Sequence, residues 1–358
     1  MKTFTGKLAL FRNEISMVAS KLYLEKFIFL SVLIFSLLSC NEAENSPYPA
    51  ISFSKQPTFQ NSERATASSF VINDRAYVLL GRNNNNPVRG LRDCWEFNPS
   101  TNLWTRKADF PSVGRVGAIA EVVNGYAYVG FGFNPDKGVF SNDSTIFSDF
   151  WRYDPVLNYW TRLADFPVAE YGGIAPLTSC ASFTYQKWIY ILGLSAKTTA
   201  YGHVWRYNTE DNSWERMKDF AASGRGGAVS CSDGEKFFFG LGYRTNCLSD
   251  WWRYYPETDS WKKCKSLPGK GRVNAVAFSV GNRYFVATGR NVGGTLTDDK
   301  TFGNVMEYDA DKDVWYERGT LPAEPRENSV AMVISDKVYL GMGEYNEVQL
   351  GDFWVFHP

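Results

Sequence analysis

Residues 149–171 read DFWRYDPVLNYWTRLADFPVAEY, and an edited copy of this stretch returns in every other part of the chain. Within it, Phe166 follows Trp160 by six residues and Tyr171 follows Phe166 by five. The same spacing joins two apolar residues and an arginine in five further places: Phe53, Phe59 and Arg64; Trp104, Phe110 and Arg115; Trp214, Phe220 and Arg225; Trp261, Leu267 and Arg272; and Trp315, Leu321 and Arg326. Six copies at intervals of about fifty residues predict a repeat array rather than several unrelated domains.

Each copy contains four segments with the pattern of short β-strands. In the copy that includes Trp160, they cover residues 117–123, 126–132, 149–154 and 159–163. The Asn-Gly pair between the first two is a hairpin signal, and the segment DPVLN between the last two is rich in turn formers. The unit is therefore predicted to be an antiparallel meander of four strands.

This unit resembles the Kelch repeat, and the resemblance covers residues 51–358. It implies that each copy forms one blade of a β-propeller. The last copy ends just after its third strand, DFWVF, and residues 51–56 match the fourth strand that it lacks. Closing the ring removes the free edges that an open array would expose. We therefore predict an all-β fold, a six-bladed Kelch-type β-propeller closed by an N-terminal fourth strand in the C-terminal blade.

The N-terminal residues are predicted to lie outside the propeller. The run FIFLSVLIFSLL, residues 27–38, follows Lys21 and Lys26 and is short for a bilayer-spanning helix. The next residues resemble a bacterial lipobox, which implies that Cys40 carries the lipid. We predict a lipoprotein signal peptide over residues 1–39, with translation starting at Met1 or Met17; an uncleaved membrane anchor is the alternative.

Residues 40–50 are polar and contain proline, as expected of a tether between a lipid and a folded domain. The propeller itself is predicted to span residues 51–358. This organisation predicts a monomeric lipoprotein of the bacterial cell envelope, held at the membrane by its lipid. Because the formal net charge is zero and no run of Lys and Arg occurs, we expect no nucleic-acid partner.

Five cysteines follow Cys40, and none holds a regular position in the repeat. An odd number leaves at least one thiol without an intramolecular partner. A chain with 44% hydrophobic residues has enough material for a core without covalent staples. We therefore expect buried single thiols rather than disulfides.

One mouth of the predicted channel collects the residues best suited to bind a ligand. The connections from fourth to first strands and from second to third strands emerge there, because the chain direction alternates within each blade. The residue at the start of each innermost strand is a candidate for ligand binding: Arg64, Arg115, Tyr171, Arg225, Arg272 and Arg326. A guanidinium fork matches a carboxylate, so these residues favour an anion or a sugar acid as ligand.

A structural alternative is that each arginine pairs with an aspartate at the start of a third strand. The copy with Tyr171 in place of arginine also has His203 in place of aspartate, which favours such pairing. Arg272 is the exception, because Asn304 stands where its aspartate is expected. Candidates for acid–base catalysis are Glu170, His203 and Glu344. No metal-ligand cluster and no nucleophile motif is found in the sequence.

The Kelch resemblance implies either an interaction module or, less often, a carbohydrate enzyme. Our main prediction is a lipid-anchored propeller that binds a protein or a glycan at its arginine- and aromatic-lined mouth. The first alternative is an epimerase or mutarotase of sugar acids, of the sialic acid type; the second is a structural envelope component. A copper enzyme similar to galactose oxidase is disfavoured, because His203 and His357 are the only histidines, and no cofactor is predicted.

Overall fold

The computed structural model describes residues 45–59, 61–137, 146–168, 180–193, 195–196, 199–200, 202–293 and 299–358. Six antiparallel sheets of four strands each account for the repeats, so the predicted all-β propeller with six blades is confirmed. We number the blades 1 to 6 along the chain, and the strands of each blade first to fourth from the channel outwards.

Each blade is a meander with short strands. Blades 1 to 3 consist of Ser68–Ile72, Arg75–Leu79, Cys94–Asn98 and Leu103–Lys107; Ile119–Val123, Tyr126–Gly130, Phe150–Asp154 and Tyr159–Arg162; and Ala181–Tyr185, Trp188–Leu192, Trp205–Asn208 and Ser213–Arg216. Blades 4 to 6 consist of Val229–Ser232, Phe237–Gly240, Trp251–Tyr255 and Ser260–Cys264; Val276–Val280, Arg283–Ala287, Asn304–Asp309 and Val314–Thr320; and Val330–Ile334, Lys337–Gly341, Phe353–Phe356 and, from the N-terminus, Phe53–Gln56.

The ring closes as the repeat count predicts. Phe53–Gln56 pairs antiparallel with Phe353–Phe356, so the first strand of the chain is the fourth strand of blade 6. Just before it, the ring of Tyr48 lies between the guanidinium groups of Arg283 and Arg318, at 4.6 and 5.0 Å. Both arginines pair with Glu307, which is buried, so the segment leading to the closing strand is attached to blade 5.

Neighbouring blades are joined by the last residue of the turn between third and fourth strands. This residue is Asn or Asp in a left-handed conformation, with φ of 45–56°, at Asn102, Asn158, Asn212, Asp259 and Asp313. In blades 2 to 5 its side chain accepts a hydrogen bond from a tyrosine hydroxyl of the third strand. It also accepts one from a backbone N–H of the preceding blade. The turn residue therefore links one blade to the next.

Aromatic side chains fill the spaces between blades. Between blades 1 and 2, for example, Phe110, Tyr153 and Trp160 are nearly or fully buried in one cluster. The indole of Trp160 also donates a hydrogen bond to the backbone oxygen of Ala108 in blade 1, at 3.0 Å. Side chains of this size bury roughly 150–250 Å² each, so contacts between blades dominate the core.

Three short two-stranded hairpins extend the connections between second and third strands: Ser195–Ala196 with Thr199–Ala200, Arg290–Asn291 with Lys300–Thr301, and Glu344–Tyr345 with Val348–Gln349. Single bridges join these connections to the segments that lead into first strands, as between Ala65 and Arg82 or Glu327 and Glu344. The two kinds of connection therefore emerge on the same mouth, as predicted. We call it the loop mouth.

The five cysteines of the described residues are all unpaired, in agreement with the sequence prediction. Cys94, Cys231 and Cys247 are buried, whereas Cys180 and Cys264 are partly buried. Within the same residues, no helix is both long and apolar enough to cross a bilayer. The predicted signal peptide and Cys40 lie outside the described residues, and their roles stay predictions.

Candidate functional site

The arginines at the starts of the first strands are buried in the blades. Four of them form two-pronged ion pairs with the aspartate at the start of their own blade's third strand, with Nη2–Oδ2 distances of 2.8–3.0 Å: Arg64 with Asp93, Arg115 with Asp149, Arg225 with Asp250, and Arg326 with Asp352. Each of these arginine side chains is at most 1% exposed. This geometry is that of the structural alternative, in which each arginine pairs with an aspartate at the start of a third strand.

Each aspartate has a second donor, the indole of the tryptophan two residues later, as in Asp149 with Trp151 at 2.8 Å. Burial alone would raise the pKa of Asp149, but the hydrogen bonds and the charge of Arg115 outweigh it and lower that pKa. The carboxylate therefore stays charged, and the pair holds the second-to-third connection against the first strand. None of these four guanidinium groups faces the solvent. That they bind a ligand stays a prediction from the sequence.

Arg272 is the fifth arginine of this set and the one without an aspartate. Its Nη1 donates to the backbone oxygen of Thr288 at 2.9 Å and to Oδ1 of Asn304 at 3.2 Å, and its guanidinium stacks on Phe302. Burial lowers its pKa to about 10. The side chain is 2% exposed and is therefore not presented to a ligand. No described carboxylate forms an ion pair with it, although the charge of Glu317 acts on it from a longer distance.

Of the three site residues predicted in the third copy of the repeat, the structure describes His203. Glu170 and Tyr171 lie outside the described residues, so their predicted roles stay untested. His203 lies at the entry to the third strand of blade 3, with Nε2 3.9 Å from Asp219. Burial and the nearby charge of Arg216 lower its pKa, which favours the neutral imidazole.

Glu344, the remaining acid–base candidate, is buried at the loop mouth. Its carboxylate accepts hydrogen bonds from Arg82 at 2.6 Å, from Asn328 at 2.8 Å and from Gln349 at 3.2 Å. Arg82 belongs to blade 1 and the other three residues to blade 6, so this contact crosses the junction where the ring closes. With both oxygens engaged, the carboxylate is well placed to hold Arg82 in position.

A second pair of an arginine and a glutamate, Arg290 and Glu327, lies beside the pair of Arg82 and Glu344. Glu327 accepts a hydrogen bond from Asn274 at 2.8 Å, and Nη1 of Arg290 lies 3.4 Å from its other oxygen. Arg290 makes its shorter contact, 2.5 Å, with Asp299. The side chain of Arg290 is 38% exposed, in contrast to the buried arginines described above. We call Arg82, Asn274, Arg290, Glu327, Asn328 and Glu344 the mouth cluster.

The backbone of the lead-in segments arranges the mouth cluster around the channel. The second residue after each of the five arginines has a left-handed conformation: Thr66, Gly117, Gly227, Asn274 and Asn328. Hydrogen bonds connect them in sequence around the mouth, from the N–H of Asn328 to the oxygen of Asn274 and from the N–H of Thr66 to that of Asn328. At this position the described part of the chain has side chains in blades 5, 6 and 1, from Asn274, Asn328 and Thr66, and glycine in blades 2 and 4.

Sequence reasoning found part of the mouth cluster. Glu344 was among the predicted candidates, and Arg82 and Arg290 share its position after a second strand, on the loop mouth. Asn274, Glu327 and Asn328 were missed, although the repeat contains a signal for them. Glu327 stands where other copies have Ala65, Val116, Gly226 or Val273, so a charged residue has replaced a small or apolar one at an axial position. No group of metal-binding side chains is assembled within the described part of the chain.

Comparison with known proteins finds a partial sequence similarity to curated proteins and a similar fold among solved structures. No protein-family model matches the chain. It is 28% identical over 106 residues to the N-acetylneuraminate epimerase of Escherichia coli O139:H28, which is 28% of this chain and 29% of that protein. It is 32% identical over 112 residues to the N-acetylneuraminate epimerase of Shigella sonnei, 30% of each chain. The match spans about three tenths of the length of these curated relatives.

Among solved structures, that of YjhT is similar, with a TM-score of 0.68 over 85% of this chain and 95% of that one, at 14% sequence identity. A likeness at this identity shows a common fold. The chain is therefore a six-bladed β-propeller of the Kelch type, and one segment of it is distantly similar to N-acetylneuraminate epimerases.

Proposed function

We propose that the protein interconverts the anomers of an acidic sugar, of the N-acetylneuraminate class, at the mouth cluster. The observation that carries the proposal is the pairing of two partly exposed guanidinium groups with the carboxylates of Glu344, Glu327 and Asp299 at one side of the channel opening. The partial similarity to N-acetylneuraminate epimerases supports the same class of substrate. The first alternative from the sequence is thus favoured over a binding module.

The reaction needs only proton transfers. A base removes the proton from the anomeric hydroxyl, the bond between the anomeric carbon and the ring oxygen breaks, and an acid protonates that oxygen. Rotation of the open-chain ketone and the reverse steps close the ring with the opposite configuration. Atoms and electrons balance within the substrate, so the protein must bind the sugar carboxylate and supply a group that exchanges protons.

Arg290 is the residue that we assign to the substrate carboxylate. Its side chain is 38% exposed. Nη2 pairs with Asp299, but the contact of Nη1 with Glu327 is long, so Nη1 can bind a further anionic partner. Arg82 is 23% exposed and adds a second positive charge on the other side of Glu344. A planar fork of this kind binds a carboxylate through two hydrogen bonds.

Glu327 is the residue that we assign to proton transfer. Within the described structure it accepts one short and one long hydrogen bond, whereas Glu344 accepts three. A carboxylate with spare acceptor capacity is the better base. Glu344 is then a positioning residue that holds Arg82, rather than the acid–base group predicted from the sequence.

The test follows the approach of one pure anomer of N-acetylneuraminate to equilibrium by proton NMR, against the spontaneous rate. Glu327→Gln keeps the shape and the hydrogen bond from Asn274, and we expect it to lower the catalysed rate by at least about a hundredfold with little change in sugar binding. Arg290→Ala should weaken binding instead. The matched control is Arg106→Ala, which removes an arginine that pairs with Asp109 on the surface of blade 1.

An unchanged rate in Glu327→Gln would refute the assignment of that residue. If acidic sugars raise the melting temperature without any faster anomer exchange, the protein is a glycan-binding module, as in the main prediction from the sequence. If no sugar has either effect, protein partners remain. The lipoprotein signal predicted from the sequence puts either activity in the bacterial cell envelope as part of the same proposal.

A further inference from the structure

The central channel below the loop mouth contains a cavity of about 350 Å³, which is open to solvent on one side. The first strands of the blades surround it. Its polar side chains are one carboxylate and five hydroxyl groups: Glu121, Ser182, Thr184, Ser230, Ser232 and Ser279. A cavity of this volume is within the usual range of small-ligand sites. The polar side chains of its lining belong to blades 2 to 5.

The carboxylate belongs to Glu121, in the middle of the first strand of blade 2. The hydroxyl of Ser182, in blade 3, donates a hydrogen bond to its Oε1 at 2.7 Å. Ser182 is the one described residue that hydrogen-bonds this carboxylate, so Oε2 is left to the cavity. Glu121 is partly exposed to the open cavity. Its carboxylate has a single neutral donor and no compensating charge, so a negative charge there is less well stabilised than in bulk water.

Two further hydroxyl groups of the cavity lining are held in fixed directions. The hydroxyl of Ser230 donates to the backbone oxygen of Ser182 at 2.6 Å, and that of Ser279 donates to the backbone oxygen of Ser232 at 2.6 Å. Each serine uses its proton in a bond between neighbouring first strands. Its oxygen lone pairs therefore remain available as acceptors on the side of the cavity.

No second charge faces Glu121 from the elements packed around it. Among the described residues that line the channel, the other titratable groups are the thiols of Cys231 and, nearer the loop mouth, Cys180. Burial raises the pKa of both thiols, so they stay neutral. The described channel wall carries at most one negative charge and no positive one.

We propose that the channel binds a monovalent cation, an alkali metal ion or a primary ammonium group, at Glu121. Carboxylate and hydroxyl oxygens are the ligands that such hard cations prefer. A single positive charge neutralises the site, whereas a divalent ion would leave an uncompensated positive charge in the channel. The site lies in the channel and uses none of the mouth cluster, so it is separate from the proposed catalytic function.

The proposal predicts a dependence on pH. Burial raises the pKa of Glu121 to about 7, against a small opposing effect of Ser182. Without a cation, the stability that Glu121 contributes is complete below the pKa of the unfolded chain and is lost as the pH rises through the folded value. A bound cation favours the ionised form, so it should restore that stability at about pH 8 and have no effect at about pH 5.

The experiment measures the melting temperature of the full chain in potassium, sodium, ammonium or methylammonium chloride, against choline chloride at the same ionic strength. At about pH 8 we expect one or more of the small cations to raise it by about 2–4 °C over choline. A rise with ammonium and methylammonium but not with the metal ions identifies an ammonium site, and the reverse identifies a metal site. At about pH 5 the difference should vanish.

Glu121→Gln is the main variant, because it keeps the size and the Ser182 hydrogen bond but cannot ionise. We expect it to melt higher than the wild type in choline at alkaline pH and to lose the cation effect. Ser182→Ala is the second variant and should weaken the effect without abolishing it. Glu317→Gln, an exposed glutamate on the fourth strand of blade 5, is the control and should behave as the wild type.

Two outcomes would overturn the proposal. One is a wild-type melting temperature that is the same in every chloride salt at alkaline pH. The other is a cation effect of full size in Glu121→Gln, which would place the ion elsewhere. If Glu121→Gln does not fold, the test uses the pH dependence of the cation effect in the wild type and the size of that effect in Ser182→Ala. A cation effect that is the same at about pH 5 and about pH 8, and unchanged in Ser182→Ala, contradicts a site at Glu121.

Discussion

At the scale of single residues, the mouth separates two uses of arginine. Arg115 and its equivalents are buried and bound to aspartates, so their charge stabilises the blade. Arg82 and Arg290 are partly exposed, and their carboxylate partners are not at the repeat position: Glu344 and Glu327 come from a neighbouring blade, and Asp299 from the same connection as Arg290. The same residue type at the same mouth therefore serves the fold in one case and is available to a ligand in the other.

Arg272 provides a test of the structural role. Asn304→Asp restores the carboxylate that its equivalents have, and we expect it to raise stability by about 1–2 kcal/mol, because a buried guanidinium gains a charged acceptor. The gain is limited, since Met306 stands where the other blades have the tryptophan that donates to the aspartate. Thermal or urea unfolding measures the difference.

The reverse substitution is the matched control. Asp352→Asn leaves Arg326 buried without its carboxylate, so we expect a loss of roughly 3–5 kcal/mol. Equal effects of the two substitutions, or a loss of stability in Asn304→Asp, would contradict the view that the pairs hold the blades.

At the scale of elements, the turn between third and fourth strands is the device that repeats most faithfully. Asn158 combines a left-handed backbone with two accepted hydrogen bonds, from the hydroxyl of Tyr153 and from the N–H of Ala108, both at 2.8 Å. In blade 1 the third strand has Phe97 in place of this tyrosine, so Asn102 lacks the first of these bonds. The turn is thus a contact between blades as well as a reversal of the chain.

Asn158→Ala should lower stability by roughly 3 kcal/mol, from two unsatisfied donors and an alanine in a left-handed conformation. Asn158→Gly relieves the backbone strain and keeps the loss of hydrogen bonds, so it should lie between alanine and the wild type. Leu157→Ala, at a neighbouring side chain that is 72% exposed, is the control and should change little. A loss confined to Asn158→Ala, with Asn158→Gly unchanged, would show that the hydrogen bonds from Tyr153 and Ala108 do not contribute.

At the scale of the whole molecule, the propeller depends on a strand of four residues from the other end of the chain. Phe53 packs on Phe356 with ring centres 4.9 Å apart, and Tyr48 is held between two arginines of blade 5. Without this segment, the edge of Phe353–Phe356 would be free to pair with another molecule.

We therefore expect a chain that lacks residues 1–56 to melt at least about 5 °C lower and to form dimers or larger species in size-exclusion chromatography. A chain that lacks residues 1–46 retains Tyr48 and the closing strand, so it should stay as stable and as monomeric as the full chain. The two truncations behaving alike would mean that closure by Phe53–Gln56 contributes little.

The sequence by itself determined the six blades, the order of their strands and the way in which the ring closes. These properties depend on local patterns, namely turn residues, strand periodicity and a repeated spacing, and each copy supports the same interpretation as the others. The pairing of Arg115 with Asp149 could also be inferred, since two positions that change together in one copy indicate a contact.

Tertiary structure alone decided which charged residues meet at the mouth and which lie in the channel. Arg82 and Glu344 are 262 positions apart in the chain and become neighbours only when the ring closes. Glu121 resembles any other polar residue in a strand until the first strands of the blades surround it, which reduces its hydration and raises its pKa. Such sites depend on distances between blades and on local dielectric, which no pattern along one repeat contains.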